Sequence, residues 1–195
     1  MKSDVIIVTS KGAQTEAALK QIEKVAEYKD LSHKNALHLR LLTEEAMGLM
    51  RAITGNVEGK FWIEEDKDEF KLHLQVETDM DENQRKQLIS ASSSGQNEAR
   101  KGIIGKILAF FEPEEGIPMF IDYSMVDYPG SYPYYMDWSL REYERQVQAS
   151  MEKERKGAAE AWDELEKSVI SHLADDVKVS IKGRNVEMTI YKKMA

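Results

Sequence analysis

The chain has 195 residues, 42% of them hydrophobic, and a formal net charge of -8. This composition predicts a globular protein with one core, and the negative charge disfavours a nucleic-acid partner, because such a protein repels a phosphate backbone. The chain has no cysteine and only four histidines, which excludes disulfides and thiolate chemistry and disfavours a metal site. The apolar run at the start is four residues long, too short for a signal peptide, and no later run reaches the length of a membrane span. We therefore expect a cytoplasmic protein that does not associate with membranes.

The first third of the chain predicts one strand and two helices. Val5 to Val8 is a short apolar run ended by Thr9, Ser10 and Gly12, which indicates a buried strand. Apolar residues at helical spacing predict a first helix through about Tyr28 and a second helix from Asn35 to Ile53. In the second helix, the residues that form one apolar stripe are Leu39, Leu42, Ala46, Leu49, Met50 and Ile53. The opposite side carries Arg40, Thr43, Glu44 and Arg51.

A hairpin follows, with strands over Phe61 to Glu64 and Phe70 to Glu77 and the turn EEDKDE. In its second strand, apolar residues alternate with Lys71, His73 and Gln75, the period of a sheet with one buried face. The segment from Thr78 to Gly102 is polar and predicts a flap with at most one short helix.

The segment from Ile103 to Phe111 predicts a short apolar helix. Gly102 and Gly105 lie at its start, and Pro113 ends it. From Glu112 to Trp138 the chain is rich in tyrosine, proline and glycine. This aromatic loop is interpreted either as a ligand or partner surface or as a set of rings that anchors a long loop to the body.

A helical pattern from about Asp137 to Leu173 predicts one long helix, which Gly157 bends or divides. The chain ends in a hairpin, with alternating strands over Val177 to Ile181 and Val186 to Ile190. These elements predict an α/β fold, an α+β two-layer sandwich of a sheet covered by helices.

Glu45 lies on or beside the apolar stripe of the second helix, three residues after Leu42 and four before Leu49. It is either a boundary carboxylate whose stem covers apolar surface or a working base in a pocket. Asp79 has two interpretations as well, turn chemistry or ligand binding, and Gly102 and Gly105 are either packing glycines or phosphate contacts. His38, two turns before Glu45, is interpreted as structural.

The element order and the stretch LRLLTEEAMGLMRAI resemble the GHKL superfamily, the ATP-binding domain of histidine kinases and of anti-sigma-factor serine kinases. The resemblance covers residues 1–112 and 175–195, with 113–174 as an insertion that holds the aromatic loop and the long helix. It implies a mixed sheet covered by helices. It also implies that Glu45 matches the glutamate that activates a nucleophile, that Asp79 reads the adenine amino group, and that Gly102 and Gly105 form the second glycine box after a lid over 82–100.

Two departures from this family bear on activity. The asparagine that holds Mg²⁺ in the family is replaced by Leu49, which has no oxygen for a hard cation. The family's DxGxG reads here as Asp79-Met80-Asp81-Glu82-Asn83, with both glycines gone and added negative charge that repels ATP.

We therefore expect a regulatory protein without catalysis, comparable to anti-sigma factors, that binds a protein partner or a small ligand. No cofactor and no metal site are expected. One alternative is a kinase or ATPase with a remodelled site, which would use ATP and Mg²⁺, with Glu45 as base. Another is a structural homodimer built on the predicted helix over residues 140–173.

Overall fold

The computed structural model describes residues 1–9, 15–54, 58–77, 135–153, 155, 157–166, 168–182 and 185–194. The first half contains β1 (Ile6–Thr9), α1 (Thr15–Tyr28), α2 (His33–Thr54), β2 (Glu58–Asp66) and β3 (Glu69–Glu77). The second half contains β4 (Tyr135–Ser139), α3 (Leu140–Glu152), α4 (Ala158–Glu166), α5 (Val169–Leu173), β5 (Asp176–Lys182) and β6 (Asn185–Lys193). The predicted flap, the predicted helix over 103–111 and most of the aromatic loop lie outside these residues.

The strands form one six-stranded sheet in the order β1-β2-β3-β6-β5-β4. The predicted α/β two-layer fold is confirmed, since helices pack on this sheet and share one core with it. The resemblance implied a mixed sheet, but each of the five pairings among the described strands is antiparallel. The described sheet therefore differs from the sheet that the resemblance implied.

The two-residue loop Lys67-Asp68 joins β2 to β3 and lies between the paired residues Asp66 and Glu69. Both loop residues have positive φ, 49° and 66°. Two left-handed residues define a type I′ turn, whose twist matches that of the flanking strands. The predicted hairpin is confirmed at this position.

One face of the sheet is buried beneath the helices, as the alternating pattern predicted. From β3 this face presents Phe70, Leu72, Leu74 and Val76, all buried. The predicted stripe of α2 meets the same core through Leu39, Leu42, Ala46, Leu49 and Met50. We call the opposite face, which carries Trp62, His73 and Tyr191, the outer face of the sheet.

Thr43 of α2 is buried, whereas its position predicted the solvent side. Its hydroxyl donates a hydrogen bond of 2.8 Å to the carbonyl oxygen of Leu39, one turn earlier. This bond satisfies the hydroxyl inside the helix, so the side chain can lie in the core at little polar cost.

The predicted long helix over 137–173 is wrong as a single element, because the described residues form one strand and three helices there. Gly157 has a φ of 83° and lies between α3 and α4, so of the two alternatives it divides the helix. The first predicted residues of the helix, Asp137 to Ser139, belong instead to β4, where Trp138 pairs with Val179.

All three of these helices contribute to the core shared with the sheet, through Leu140, Val147, Leu165 and Ile170. The division of the chain into 1–112 plus 175–195 and an inserted 113–174 stays a prediction. Among the described helices, none is both long and apolar enough to cross a membrane.

Candidate functional site

The residues predicted to form a nucleotide site are only partly described. Glu45 is half-buried on α2, next to the apolar stripe, as its position in the sequence predicted. Asp79, Gly102 and Gly105 lie outside the described residues, so their relation to Glu45 stays a prediction.

A small cleft opens between the last turns of α2 and the adjoining ends of β1, β2 and β3. Its volume is about 20 Å³, which is room for about one water molecule. Its lining includes Thr9, Met47, Met50, Arg51, Thr54 and Gly59. Since residues turn by 100° each in an α-helix, Glu45 lies about 180° around α2 from Thr54. This cleft and Glu45 therefore do not belong to one pocket.

A more developed cluster lies on the outer face of the sheet and was not predicted. We call it the Trp62 cluster: Trp62, Glu64, His73, Glu187 and Thr189. The strand register brings its members together, since Trp62 of β2 is opposite His73 of β3, and His73 is opposite Thr189 of β6. The Trp62 and His73 rings are stacked, with centroids 4.7 Å apart and planes within 1°.

The imidazole of His73 has acidic neighbours on both sides. Its Nδ1 lies 3.4 Å from a carboxylate oxygen of Glu187 and 3.2 Å from the hydroxyl of Thr189. Its Nε2 is buried, has no hydrogen bond in the described part of the chain and lies 3.6 Å from Glu64. The side chain is only 12% exposed, so the stack holds it in a fixed position between two carboxylates.

Glu64 is fixed by groups other than His73. It accepts a hydrogen bond of 2.8 Å from the ammonium of Lys2 and one of 3.1 Å from the indole N–H of Trp62. The bond from Lys2 is the main reason why the pKa of Glu64 lies below its usual range. Lys2 also lies over the Trp62 ring, with 5.2 Å from its nitrogen to the centroid.

A second aromatic side chain, Tyr191, lies one row further along the outer face. The ammonium groups of Lys71 and Lys178 are 5.7 and 5.0 Å from its ring centroid. Both distances fall within the range of cation–π attraction. The outer face therefore presents two aromatic side chains, each held by neighbouring charged groups.

Sequence reasoning placed His73 on the solvent side of its strand but did not predict the cluster. The two residues that meet at Nδ1 are 114 and 116 positions away from His73. A contact between residues so far apart leaves no local pattern in the sequence. The available signal for the cluster was that β3 and β6, both alternating strands, each carry a polar residue at their centre. Within the described residues, no group of three or more histidine, aspartate or glutamate side chains could hold a metal ion.

The fold and this face define a class of protein, an α/β two-layer protein whose described strands form one antiparallel sheet. No family model, no curated protein and no solved structure matches the chain. The resemblance to the GHKL superfamily therefore stays a prediction.

Proposed function

We propose that this protein is a regulatory protein without catalysis that acts by binding a protein partner through the outer face of its sheet. The observation that carries the proposal is the Trp62 cluster, together with Tyr191 beside it. Aromatic side chains that are already fixed lose little conformational freedom on binding, and they supply a large contact area.

The shape of this face favours a macromolecular partner over a small ligand. Small-molecule sites are concave and enclose most of the ligand, whereas Trp62, His73 and Tyr191 lie on a sheet surface. Lys60 and Lys178 are exposed on the same face, and an aromatic centre with a polar, solvent-accessible rim is typical of protein interfaces.

The nucleotide alternative is tested by thermal unfolding with ATP or ADP at millimolar concentration, each with and without Mg²⁺. A ligand that binds only the folded state raises the melting temperature. We expect no change. A saturable, Mg²⁺-dependent rise would overturn the proposal, and loss of nucleotide turnover in Glu45→Gln would then assign the enzyme function to the predicted site.

The partner-binding function is tested by placing a photo-crosslinking amino acid at Lys60 or at Lys178, and, as a matched control, at exposed Lys24 of α1. We expect both positions on the outer face to capture the same protein in cells and the α1 position not to capture it. Capture from the α1 position alone would overturn the assignment of the surface.

Variants make this test specific to the aromatic centre. Trp62→Ala should abolish capture at Lys178, provided that its melting curve shows a folded protein. Because Lys178 is exposed, Lys178→Glu should leave the fold intact and weaken capture at Lys60. Unchanged capture in both folded variants would exclude this face as the binding surface.

A further inference from the structure

The position of His73 suggests a property that does not depend on the identity of any partner. We propose that the Trp62 cluster is a protonation-dependent clamp. Doubly protonated His73 ties β2 to β6 through Glu64 and Glu187, and loss of one proton opens the clamp on the Glu187 side.

The hydrogen-bonding capacity of imidazole gives the physical reason. A neutral imidazole has one N–H donor and one lone pair, whereas the protonated ring has two donors. The two ionised carboxylates beside it can only accept. With neutral His73, one ring nitrogen therefore turns a lone pair towards a carboxylate. This nitrogen is either Nε2, 3.6 Å from Glu64, or Nδ1, 3.4 Å from Glu187. With protonated His73, each carboxylate faces an N–H.

The other contacts determine which side opens. Glu64 is held by Lys2 and by the indole N–H of Trp62, whatever the state of His73. Thr189 can donate its hydroxyl to the Nδ1 lone pair at 3.2 Å, so neutral His73 keeps its proton on Nε2, towards Glu64. Glu187 then has no donor on the ring and, being 39% exposed, it turns to water.

Among the described residues, the other cations on this face lie against other groups. From β3 itself, Lys71 pairs with Glu69 at 3.5 Å. From β5, Lys178 is opposite Thr189 in the register but lies over the Tyr191 ring. Lys2, from the segment before β1, reaches the cluster through Glu64. Lys60, on the outer face of β2, is opposite Gln75 in the register. The protonation state of His73 therefore changes both the charge and the side-chain arrangement next to Trp62.

The experiment is an NMR pH titration of the full chain from about pH 5 to about pH 8, the range in which an unperturbed histidine changes charge. It follows the ring nitrogens of His73, the carboxyl carbon of Glu187 and the indole N–H of Trp62. We expect the three signals to change with one common midpoint. At the upper end of the pH range, the chemical shifts of the ring nitrogens should place the remaining proton on Nε2.

Two variants give the matched comparison. Glu187→Gln removes one anion from beside the ring, so the His73 midpoint should move to lower pH. His33→Gln, which changes an exposed histidine at the start of α2, should leave all three signals of the cluster unchanged.

The clamp is overturned if the Glu187 carboxyl signal stays constant while His73 titrates, or if Glu187→Gln leaves the midpoint where it was. It is also overturned if His73 keeps one protonation state throughout the range while the chain stays folded. None of these outcomes depends on partner binding, so the clamp and the proposed function can fail separately.

Discussion

Glu65 and Glu144 are two carboxylates whose pKa values move in opposite directions for identifiable reasons. Glu65 is buried and bonds to the ammonium of Lys29, which is the main cause of its lowered pKa; a hydrogen bond from the backbone N–H of Asp68 adds to it. Glu144 has a raised pKa, because burial disfavours its charged form and Asp176 lies nearby. The first carboxylate therefore stabilises the fold when it is ionised, and the second when it is protonated.

For Glu65, we expect Glu65→Gln to lower the free energy of unfolding by about 1.5–3 kcal/mol at neutral pH, the range for a hydrogen bond to a charged group. Because the folded pKa is lowered, this stabilisation is present above the unfolded value of about 4.3 and is lost as pH falls through the folded pKa. Urea unfolding of variant and wild type at several pH values measures this difference. Glu16→Gln, which breaks an exposed pair with Lys20, is the control and should cost less than Glu65→Gln, because solvent screens an exposed ion pair.

For Glu144, stability depends on pH in the opposite direction to that for Glu65, because the folded pKa is raised. A raised folded pKa contributes stability below the unfolded pKa, and this contribution is lost as pH rises through the folded value. Glu144→Gln should therefore unfold at a higher urea concentration than wild type at neutral pH, and the two should converge in acid. A variant that is less stable than wild type at neutral pH would contradict the assigned cause.

At the scale of elements, the pairing of β2 with β3 depends on a glycine. A Cβ atom at Gly59 would lie 2.8 Å from the carbonyl oxygen of Gln75 and 2.9 Å from a methyl carbon of Val76. The first of these atoms belongs to the backbone of the neighbouring strand, so it cannot move without disturbing the ladder. The position also borders the cleft beside α2.

We expect Gly59→Ala to lower the free energy of unfolding by about 1–3 kcal/mol, the typical cost of overpacking. Gly157→Asn is the comparison, since nothing lies within 4 Å of a Cβ at that glycine and asparagine adopts positive φ more readily than other residues. Denaturant melts of both variants measure the costs. Unchanged stability in Gly59→Ala would show that close packing is not the reason for Gly59.

The start of α3 shows what local sequence could have revealed about an element. Ser139 is the N-cap, and its hydroxyl accepts from the backbone N–H of Glu142 at 3.5 Å. Serine followed three residues later by glutamate is a known signal for a helix start. This signal places the start of the helix after Ser139, but it does not reveal that the residues before it form β4. That assignment depends on pairing with β5, about 40 residues later in the chain.

At the scale of the whole molecule, part of the apolar surface of the segment predicted to form a homodimer is buried within the chain. Leu140, Val147 and Leu165 pack in the core that also contains the sheet. A surface already buried in this way is not free to form a second interface. The helix predicted to carry that dimer is also divided at Gly157.

We therefore expect no dimer through α3 and α4. Sedimentation analysis over a hundredfold range of concentration should give one unchanging mass. If the mass rises with concentration, charge substitution at Met151, which is 41% exposed on α3, should not reduce the association. Loss of association in that variant would restore the homodimer alternative.

The sequence by itself determined the features that depend on local periodicity. Side-chain spacing predicted the alternation in β3 and β6, the apolar stripe of α2 and the two hairpins. Each of these patterns lies within one segment of the chain. The position of Glu45 beside the stripe was predictable for the same reason. Only the tertiary structure decided the antiparallel strand order, the burial of Thr43, the separation of Glu45 from the cleft and the contacts of His73. These depend on how segments far apart in the chain pack into one core, and the contacts of His73 also depend on the register between strands, which no single segment contains.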